Sequence, residues 1–126
     1  MYDKDEKNII FRLWFLDTGR EDCLDKPTWG CVHPDQVEWF RQEHFKIDPS
    51  DPSKGKGLLF FHIPLAEYTN LFNNYAFYGH KNEHVACSAV NTGLFGAMVE
   101  QPTVEWTSCG HDHNNDRSEE HTSELQ

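Results

Sequence analysis

The sequence lacks several features that would assign it to a class at once. No apolar run approaches the roughly 20 residues that a membrane-spanning helix needs. Basic residues are few, 11 against 21 acidic ones, and the net charge of −10 disfavours a surface for nucleic acid or for anionic lipid. No Cys-x-x-Cys pair occurs, which disfavours an all-cysteine zinc site. The sequence does not determine whether its four cysteines are thiols or disulfides, and so it does not determine the redox compartment of the protein. The four are Cys23, Cys31, Cys87 and Cys109.

The last ten residues, Arg117–Gln126, match the translation of a common sequencing-adapter oligonucleotide over their whole length. We interpret residues 117–126 as an adapter-derived, disordered tail and leave them out of the fold. His121 is therefore not counted as a candidate ligand. The natural protein is expected to continue past Asp116, and to begin before Met1.

Residues 1–116 alternate between strand-like and helix-like patterns, which indicates an α/β fold. Three strands are predicted, the first two of them buried: Asn8–Asp17, Leu58–Phe61 and Val104–Cys109. Three helices are predicted, one starting at His33-Pro34-Asp35 with Val37, Phe40 and Phe45 on its apolar face, one across Leu65–Phe72, and one opened by Asn91-Thr92-Gly93. Two long loops are predicted, Arg20–Val32 and Asn73–His84.

Histidines follow two of the predicted strands. His62 comes directly after the second strand, and His111 and His113 come after the third, beyond a glycine. The i, i+2 spacing would put two imidazoles on one side of extended backbone, and sites in α/β sheets collect beyond the carboxyl ends of strands. A core histidine at position 62 and a solvated polar loop at 111–113 are the simpler alternatives. Other candidates are better explained by solvation or by turn capping: His80, His84 and Asp17.

Five blocks of sequence carry a family resemblance. Gly110–His113 resembles the Gly-His-x-His motif of the calcineurin-like metallophosphoesterases, and Phe60–Pro64 resembles an earlier histidine-ligand motif of that superfamily. Three further blocks, in the same order, extend the resemblance to the purple-acid-phosphatase-like branch of plants and fungi over nearly all of residues 9–116: Phe15–Gly19, His33–Phe40 and Val90–Gly93.

The resemblance implies a fold and a reaction. The fold is a four-layer α/β/β/α sandwich, of which residues 1–116 would form the C-terminal half. The reaction is hydrolysis of phosphate esters, in which two metal ions (Fe, Mn or Zn) share a bridging hydroxide that attacks phosphorus in line. By the family pattern, His62 and His111 bind one metal and His113 binds the other. The implied partners are a phosphate-ester substrate and the missing N-terminal half of the domain, with neither nucleic acid nor membrane.

The chain departs from that family in one respect. The Asp-x-His or Asp-x-Gly, Gly-Asp and Gly-Asn-His motifs expected before Asn8 are absent, and with them the aspartate ligands and the acid histidine. No catalytic residue is therefore assigned. Two dications about 3.7 Å apart repel by about 18 kcal/mol at an effective dielectric of about 20, and three neutral imidazoles offer no opposing charge. We expect this chain to bind at most one metal ion, weakly, and to be inactive alone.

Two alternatives stay open. A metallo-β-lactamase-type hydrolase also carries a His-x-His-x-Asp-His run after a strand, but Asn115 and Asp116 break the second half of that motif. A non-catalytic, mononuclear structural site could instead join Cys109 to His111 and His113, because the three residues share strand parity. The turn expected at the intervening glycine argues against this second alternative.

Overall fold

The computed structural model describes residues 1–48, 50–51, 56–100 and 103–118. In chain order, its elements are β1 (Arg12–Phe15), β2 (Glu21–Cys23), β3 (Lys26–Trp29), α1 (Pro34–Phe45), β4 (Gly57–Phe61), α2 (Ala66–Asn74), β5 (Tyr78–Lys81), α3 (Leu94–Glu100), β6 (Trp106–Cys109) and β7 (Asn115–Ser118).

Three parallel strands form the main sheet, in the order β1-β4-β6. The register sets Phe15 beside Phe60 and Phe61 beside Cys109, so the carboxyl ends of the three strands lie side by side. Parallel neighbours need long crossovers, which α1 provides between β1 and β4, and α2 and α3 provide between β4 and β6. The described part is mixed α/β, in agreement with the sequence, whereas the four-layer arrangement stays a prediction.

One face of this sheet carries the hydrophobic core. Trp14 of β1 packs edge-on against Phe40 of α1, with ring centroids 5.1 Å apart. Phe40 and Leu59 of β4 have no exposed surface. The helices α1 and α3 cover this face together, and α3 contributes Leu94 and Ala97.

The other face of the same sheet is apolar but uncovered in the described part of the chain. Phe15 is 67% exposed, Leu13 45% and Trp106 44%, and Phe15 stacks on Phe60 with ring centroids 5.2 Å apart. The prediction of a buried strand over Asn8–Asp17 is therefore wrong. β1 is shorter, lies at the sheet edge and buries alternate residues only, because helices pack on one face and the other face meets solvent.

The predicted helices are present with shifted ends. α1 begins at Pro34, as expected, with acidic Asp35 in its first turn. The assignment of Phe45 to the apolar face is wrong, since this ring is 76% exposed. Phe45 lies five residues after Phe40, about 140° around a helix of 3.6 residues per turn, and so points away from the sheet. No helix among the described residues is both long and apolar enough to cross a bilayer.

A hairpin, β2–β3, occupies the stretch predicted to be a loop, Arg20–Val32. Its turn residues Leu24 and Asp25 have φ of 50° and 61°, the left-handed values of a type I′ turn. That turn normally uses Asn-Gly or Asp-Gly, so the sequence carries no hairpin signal here. A disulfide between Cys23 and Cys31 joins the two sides of the hairpin.

A second antiparallel pair, β5–β7, lies partly in the other predicted loop, Asn73–His84. Every β5 residue is exposed, so no apolar alternation marks the strand. β7 includes the first two residues of the predicted disordered tail, Arg117 and Ser118, which pair with Gly79 and Tyr78. Strand pairing uses backbone N–H and C=O groups, so β7 forms without an apolar pattern in these residues. The remaining tail, 119–126, with His121, lies outside the described residues.

Replacing Cys31 with serine is expected to destabilise the fold by about 2.5 kcal/mol, because the disulfide closes a short loop of the unfolded chain. Denaturant unfolding of the variant and the parent measures the difference. In the unreduced, unfolded parent, a thiol reagent should label only Cys87 and Cys109. Labelling of all four cysteines would contradict the disulfide.

Candidate metal centre

The carboxyl ends of β1, β4 and β6 meet at one edge of the sheet, and polar residues follow each of them. β4 leads into His62, and β6 leads through Gly110 into His111. The Gly110 peptide N–H donates a hydrogen bond to the His62 carbonyl at 3.2 Å. Pairing therefore continues one residue beyond both strands and holds the two histidine-bearing segments in register.

The end of β1 is fixed by hydrogen bonds from two other segments. Gln36 of α1 forms a reciprocal pair with the Asp17 backbone, its Oε1 accepting from N at 2.9 Å and its Nε2 donating to O at 2.7 Å. The buried Thr18 hydroxyl accepts from the Ile63 N–H at 3.1 Å, which ties this end to the segment after β4. The Asp17 carboxylate accepts from the Gly19 N–H at 2.8 Å. Asp17 is thus a turn cap, as its simpler interpretation predicts.

His62 and His111 lie side by side at this edge. Their ring centroids are 5.2 Å apart and their planes cross at 79°. Two imidazoles bound tetrahedrally to one ion at about 2.1 Å have ring centres about 5 Å apart. A Cβ at position 110 would lie 3.2 Å from Nδ1 of His62, so Gly110 leaves the ring its space. His62 is exposed, which rules out the core-histidine interpretation.

His111 has a strained backbone. Its φ is +73°, and the Asp112 N–H donates to the Gly110 carbonyl at 2.9 Å, which is a γ-turn of the rare positive-φ form. For a residue with a Cβ such a conformation costs on the order of 1–2 kcal/mol. The predicted extended run, with His111 and His113 on one side of a strand, is therefore wrong, because the chain turns at His111.

Trp29, at the end of β3, also contacts the His111 ring. The two ring centroids are 4.4 Å apart with the planes at 74°. The His111 imidazole thus contacts both an indole and the His62 ring. No pattern in the sequence pointed to Trp29, because it stands in a stretch without strand periodicity.

His113 is exposed and does not complete a three-donor set with the other two histidines. In residues 1–48, 50–51, 56–100 and 103–118, no three His, Cys, Asp or Glu side chains are arranged to hold a metal ion. The ligand set of His62, His111 and His113 stays a prediction, of which the structure assembles the first two members.

A carboxylate that the sequence did not suggest, Glu83, belongs to the surroundings of these histidines. Hydrogen bonds from the backbone and side-chain amides of Asn114 lower the pKa of Glu83, and the His113 and His111 imidazoles lower it further. The Asn114 bonds are 2.9 Å and 3.1 Å long. Glu83 stands in the predicted loop, where no motif or period marks it.

The remaining sequence candidates are placed as follows. His80 and His84 are exposed, as predicted. Cys109 packs against the hydrophobic core. Burial raises the pKa of the Tyr68 hydroxyl, and the neighbouring Cys109 thiol raises it further. This position within the core disfavours a structural site shared by Cys109 and the two histidines of the Gly-His-x-His segment.

Curated proteins similar to this chain are members of one phosphatase family. The chain is 36% identical over 115 residues to "Probable inactive purple acid phosphatase 28" of Arabidopsis thaliana, covering 86% of this chain and 28% of that protein. It is 30% identical over 118 residues to "Probable inactive purple acid phosphatase 14" of the same plant, covering 85% and 29%. It is 31% identical over 128 residues to "Phosphatase DCR2" of Saccharomyces cerevisiae, covering 90% and 21%. The chain belongs to the purple-acid-phosphatase-like branch.

The match takes in most of this chain and a minor part of each relative. Across the relatives, the purple-acid-phosphatase-like chain spans between 21% and 31% of their lengths. No family model and no solved structure matches it.

The γ-turn of this purple-acid-phosphatase-like chain can be tested by comparing two substitutions. His111→Gly should be more stable than His111→Ala by about 1 kcal/mol, because both lose the same ring contacts and glycine alone accepts positive φ without strain. Denaturant unfolding measures the difference. The matched pair His113→Gly and His113→Ala should show the opposite order. Equal stability of the two variants at position 111 would contradict the strained turn.

The lowered pKa of Glu83 predicts a pH dependence. Its contribution to stability is present above the ordinary carboxyl pKa of 4.5 and is lost as pH falls through the lower, folded-state pKa. An NMR titration of the Glu83 side-chain carbon should give a midpoint below 4.5 in the folded chain and near 4.5 in urea. A folded-state midpoint at or above the urea value would contradict the bonds from Asn114.

Proposed function

We propose that this chain carries part of the metal centre of a metal-dependent phosphoesterase. One observation carries the proposal: the ends of two parallel strands bring the ring centroids of His62 and His111 to 5.2 Å from each other. The chain in which this occurs is similar in sequence to a phosphatase. His62 and His111 would hold one ion, and His113 would face the second. Bound cations supply Lewis-acid stabilisation of phosphoryl charge and lower the pKa of water. The metals expected are Fe, Mn or Zn, and the substrate is a phosphate ester.

The role of this chain's residues is to fix the imidazoles before any ligand arrives. The Gly110–His62 backbone bond sets the spacing of the two segments, and the γ-turn brings the His111 ring into contact with Trp29 and His62. Pre-set ligands lower the ordering entropy that binding must overcome. Backbone strain of this kind is concentrated at functional sites, which supports the assignment.

The remaining ligands are proposed to lie in the part of the relatives' sequences that this chain does not span. The charge argument requires carboxylates there, since three imidazoles alone do not offset two cations. The exposed sheet face of Leu13, Phe15 and Trp106 supports the same view. An apolar sheet face of this kind is normally covered, and a second sheet packed on it would give the four-layer sandwich.

A non-catalytic binding function is the second candidate. The specific observation in its favour is that three of the similar proteins carry "Probable inactive" in their names. A binding protein and an enzyme could share the histidine pair and differ in the acid and base supplied by other segments. The metallo-β-lactamase type is less favoured, because the relatives are named as phosphatases.

Activity in a completed domain distinguishes these candidates. In Phosphatase DCR2, residues 1–116 of this chain would replace the matched stretch, and hydrolysis of an aryl phosphate with added Mn²⁺, Zn²⁺ or Fe would be measured. Turnover is expected, with a loss of at least about a hundredfold on His111→Ala, because a metal ligand is removed. The 126-residue chain alone should show none.

Two matched variants serve as controls in the same chimera. His80→Ala removes an exposed imidazole of β5 and should leave turnover unchanged. Cys109→Ser should also have little effect, whereas a structural site that includes this thiol predicts loss of bound metal. A folded chimera that binds metal without turnover would favour the binding function, and turnover that survives His62→Ala and His111→Ala would overturn the proposed site.

A further inference from the structure

Two loops of the chain are joined by side-chain hydrogen bonds next to the Gly-His-x-His segment. The first loop, 82–86, follows β5, and the second, 112–115, leads into β7. Residues 82–86 have no regular secondary structure. We call this set of bonds the loop clamp, and its members are Asn82, Glu83, Ala86, Asp112, Asn114 and Asn115.

Glu83 holds Asn114 by two bonds. Its Oε1 accepts from the Asn114 peptide N–H at 2.9 Å, and its Oε2 accepts from the side-chain Nδ2 at 3.1 Å. The Asn114 carbonyl accepts from Nδ2 of Asn82 at 2.9 Å. The backbone and side chain of Asn114 are thus both fixed to the first loop.

Side chains of the second loop accept hydrogen bonds from backbone N–H groups of the first loop, and one bond lies within the second loop. Oδ1 of Asn115 accepts from the backbone N–H groups of Asn82 and Glu83, both at 3.1 Å. Oδ1 of Asp112 accepts from the Ala86 N–H at 3.2 Å, and its Oδ2 accepts from Nδ2 of Asn115 at 3.0 Å. The side chains of Asp112 and Asn115, like the Asn114 amide, are therefore used in holding the loops together.

The position of His113 within this network is informative. The residues on both sides of it, Asp112 and Asn114, are bonded to the first loop, whereas His113 itself is exposed. Bonds at both neighbours fix the backbone at His113 and thereby the direction in which its Cα–Cβ bond leaves the chain. Asn115 of the clamp also pairs with Lys81, which anchors the clamp to β5 and β7.

We propose that Glu83 is a positioning residue for His113, acting through Asn114. The inference rests on the proposed function, because the orientation of the His113 imidazole matters only if this residue binds a metal ion. Partners that orient ligand-bearing residues in this way change metal affinity by about 10- to 100-fold when they are removed. Glu83 is not itself proposed as a ligand.

The experiment measures Co²⁺ affinity by isothermal titration in the chimera with Phosphatase DCR2, because His113 is proposed to bind the second ion and needs the completed domain to do so. Glu83→Ala should weaken binding about tenfold or more, because Asn114 loses both acceptors. Glu83→Gln should stay within about threefold of the parent, because one oxygen still accepts from the Asn114 N–H and the Asn114 amide can flip to meet the new NH₂. Glu67→Ala is the matched control, since that carboxylate accepts from an asparagine, Asn91, away from the clamp, and it should leave affinity unchanged.

NMR on the metal-free proteins supplies a second readout that does not depend on binding. In Glu83→Ala, exchange of the Asn114 amide should accelerate and the His113 ring resonances should shift, while those of His33 and His44 stay in place. Glu83→Gln should restore both signals. A general loss of structure would move all histidines together and overturn the assignment.

The outcomes separate the inference from the function. If the parent chimera binds no Co²⁺ while Glu83→Ala still releases Asn114 and moves His113, the metal site fails and the positioning role stands. If the parent binds Co²⁺ and Glu83→Ala leaves both affinity and Asn114 exchange unchanged, the positioning role is overturned and the metal site stands. If Glu83→Gln binds as weakly as Glu83→Ala, the charge of Glu83 acts directly, which also overturns positioning through hydrogen bonds.

Discussion

The candidate site depends on the parallel pairing of β4 with a strand on each side. Because the side chains of a strand alternate between faces, a slip of one residue in either register would exchange the core face for the solvent face. The same register decides which residues emerge at the edge, and it continues past the strands in the bond from Gly110 to His62. One set of backbone hydrogen bonds therefore fixes both the core and the distance between two imidazoles.

Local sequence was informative wherever a residue's role follows from its near neighbours. The run Leu58–Phe61 ending at His62, and the Pro34–Asp35 start of α1, were predicted correctly because periodicity and helix-start chemistry act within a few residues. The ring of Phe45 was misassigned for the opposite reason: an apolar residue near a helix end reveals its face only when the neighbouring element is known.

Much of the site's surroundings could not be predicted, since it depends on contacts between distant residues. The β2–β3 turn uses Leu24 and Asp25 in left-handed conformations without glycine, and β5 shows no apolar alternation. Trp29 reaches His111, and Glu83 reaches Asn114, only after the chain has folded. The histidines stand in sequence motifs, whereas Trp29 and Glu83, which contact residues of the Gly-His-x-His segment, carry no local signal.

The uncovered face of the three-stranded sheet has a consequence for how the chain behaves during synthesis. Leu13, Phe15 and Trp106 give it the surface of one half of a domain core, and β6 completes that surface late in the described chain. An uncovered face of this kind associates with apolar surfaces nearby, including other copies of itself. The yield of soluble chain in a cell then depends on how often such encounters occur.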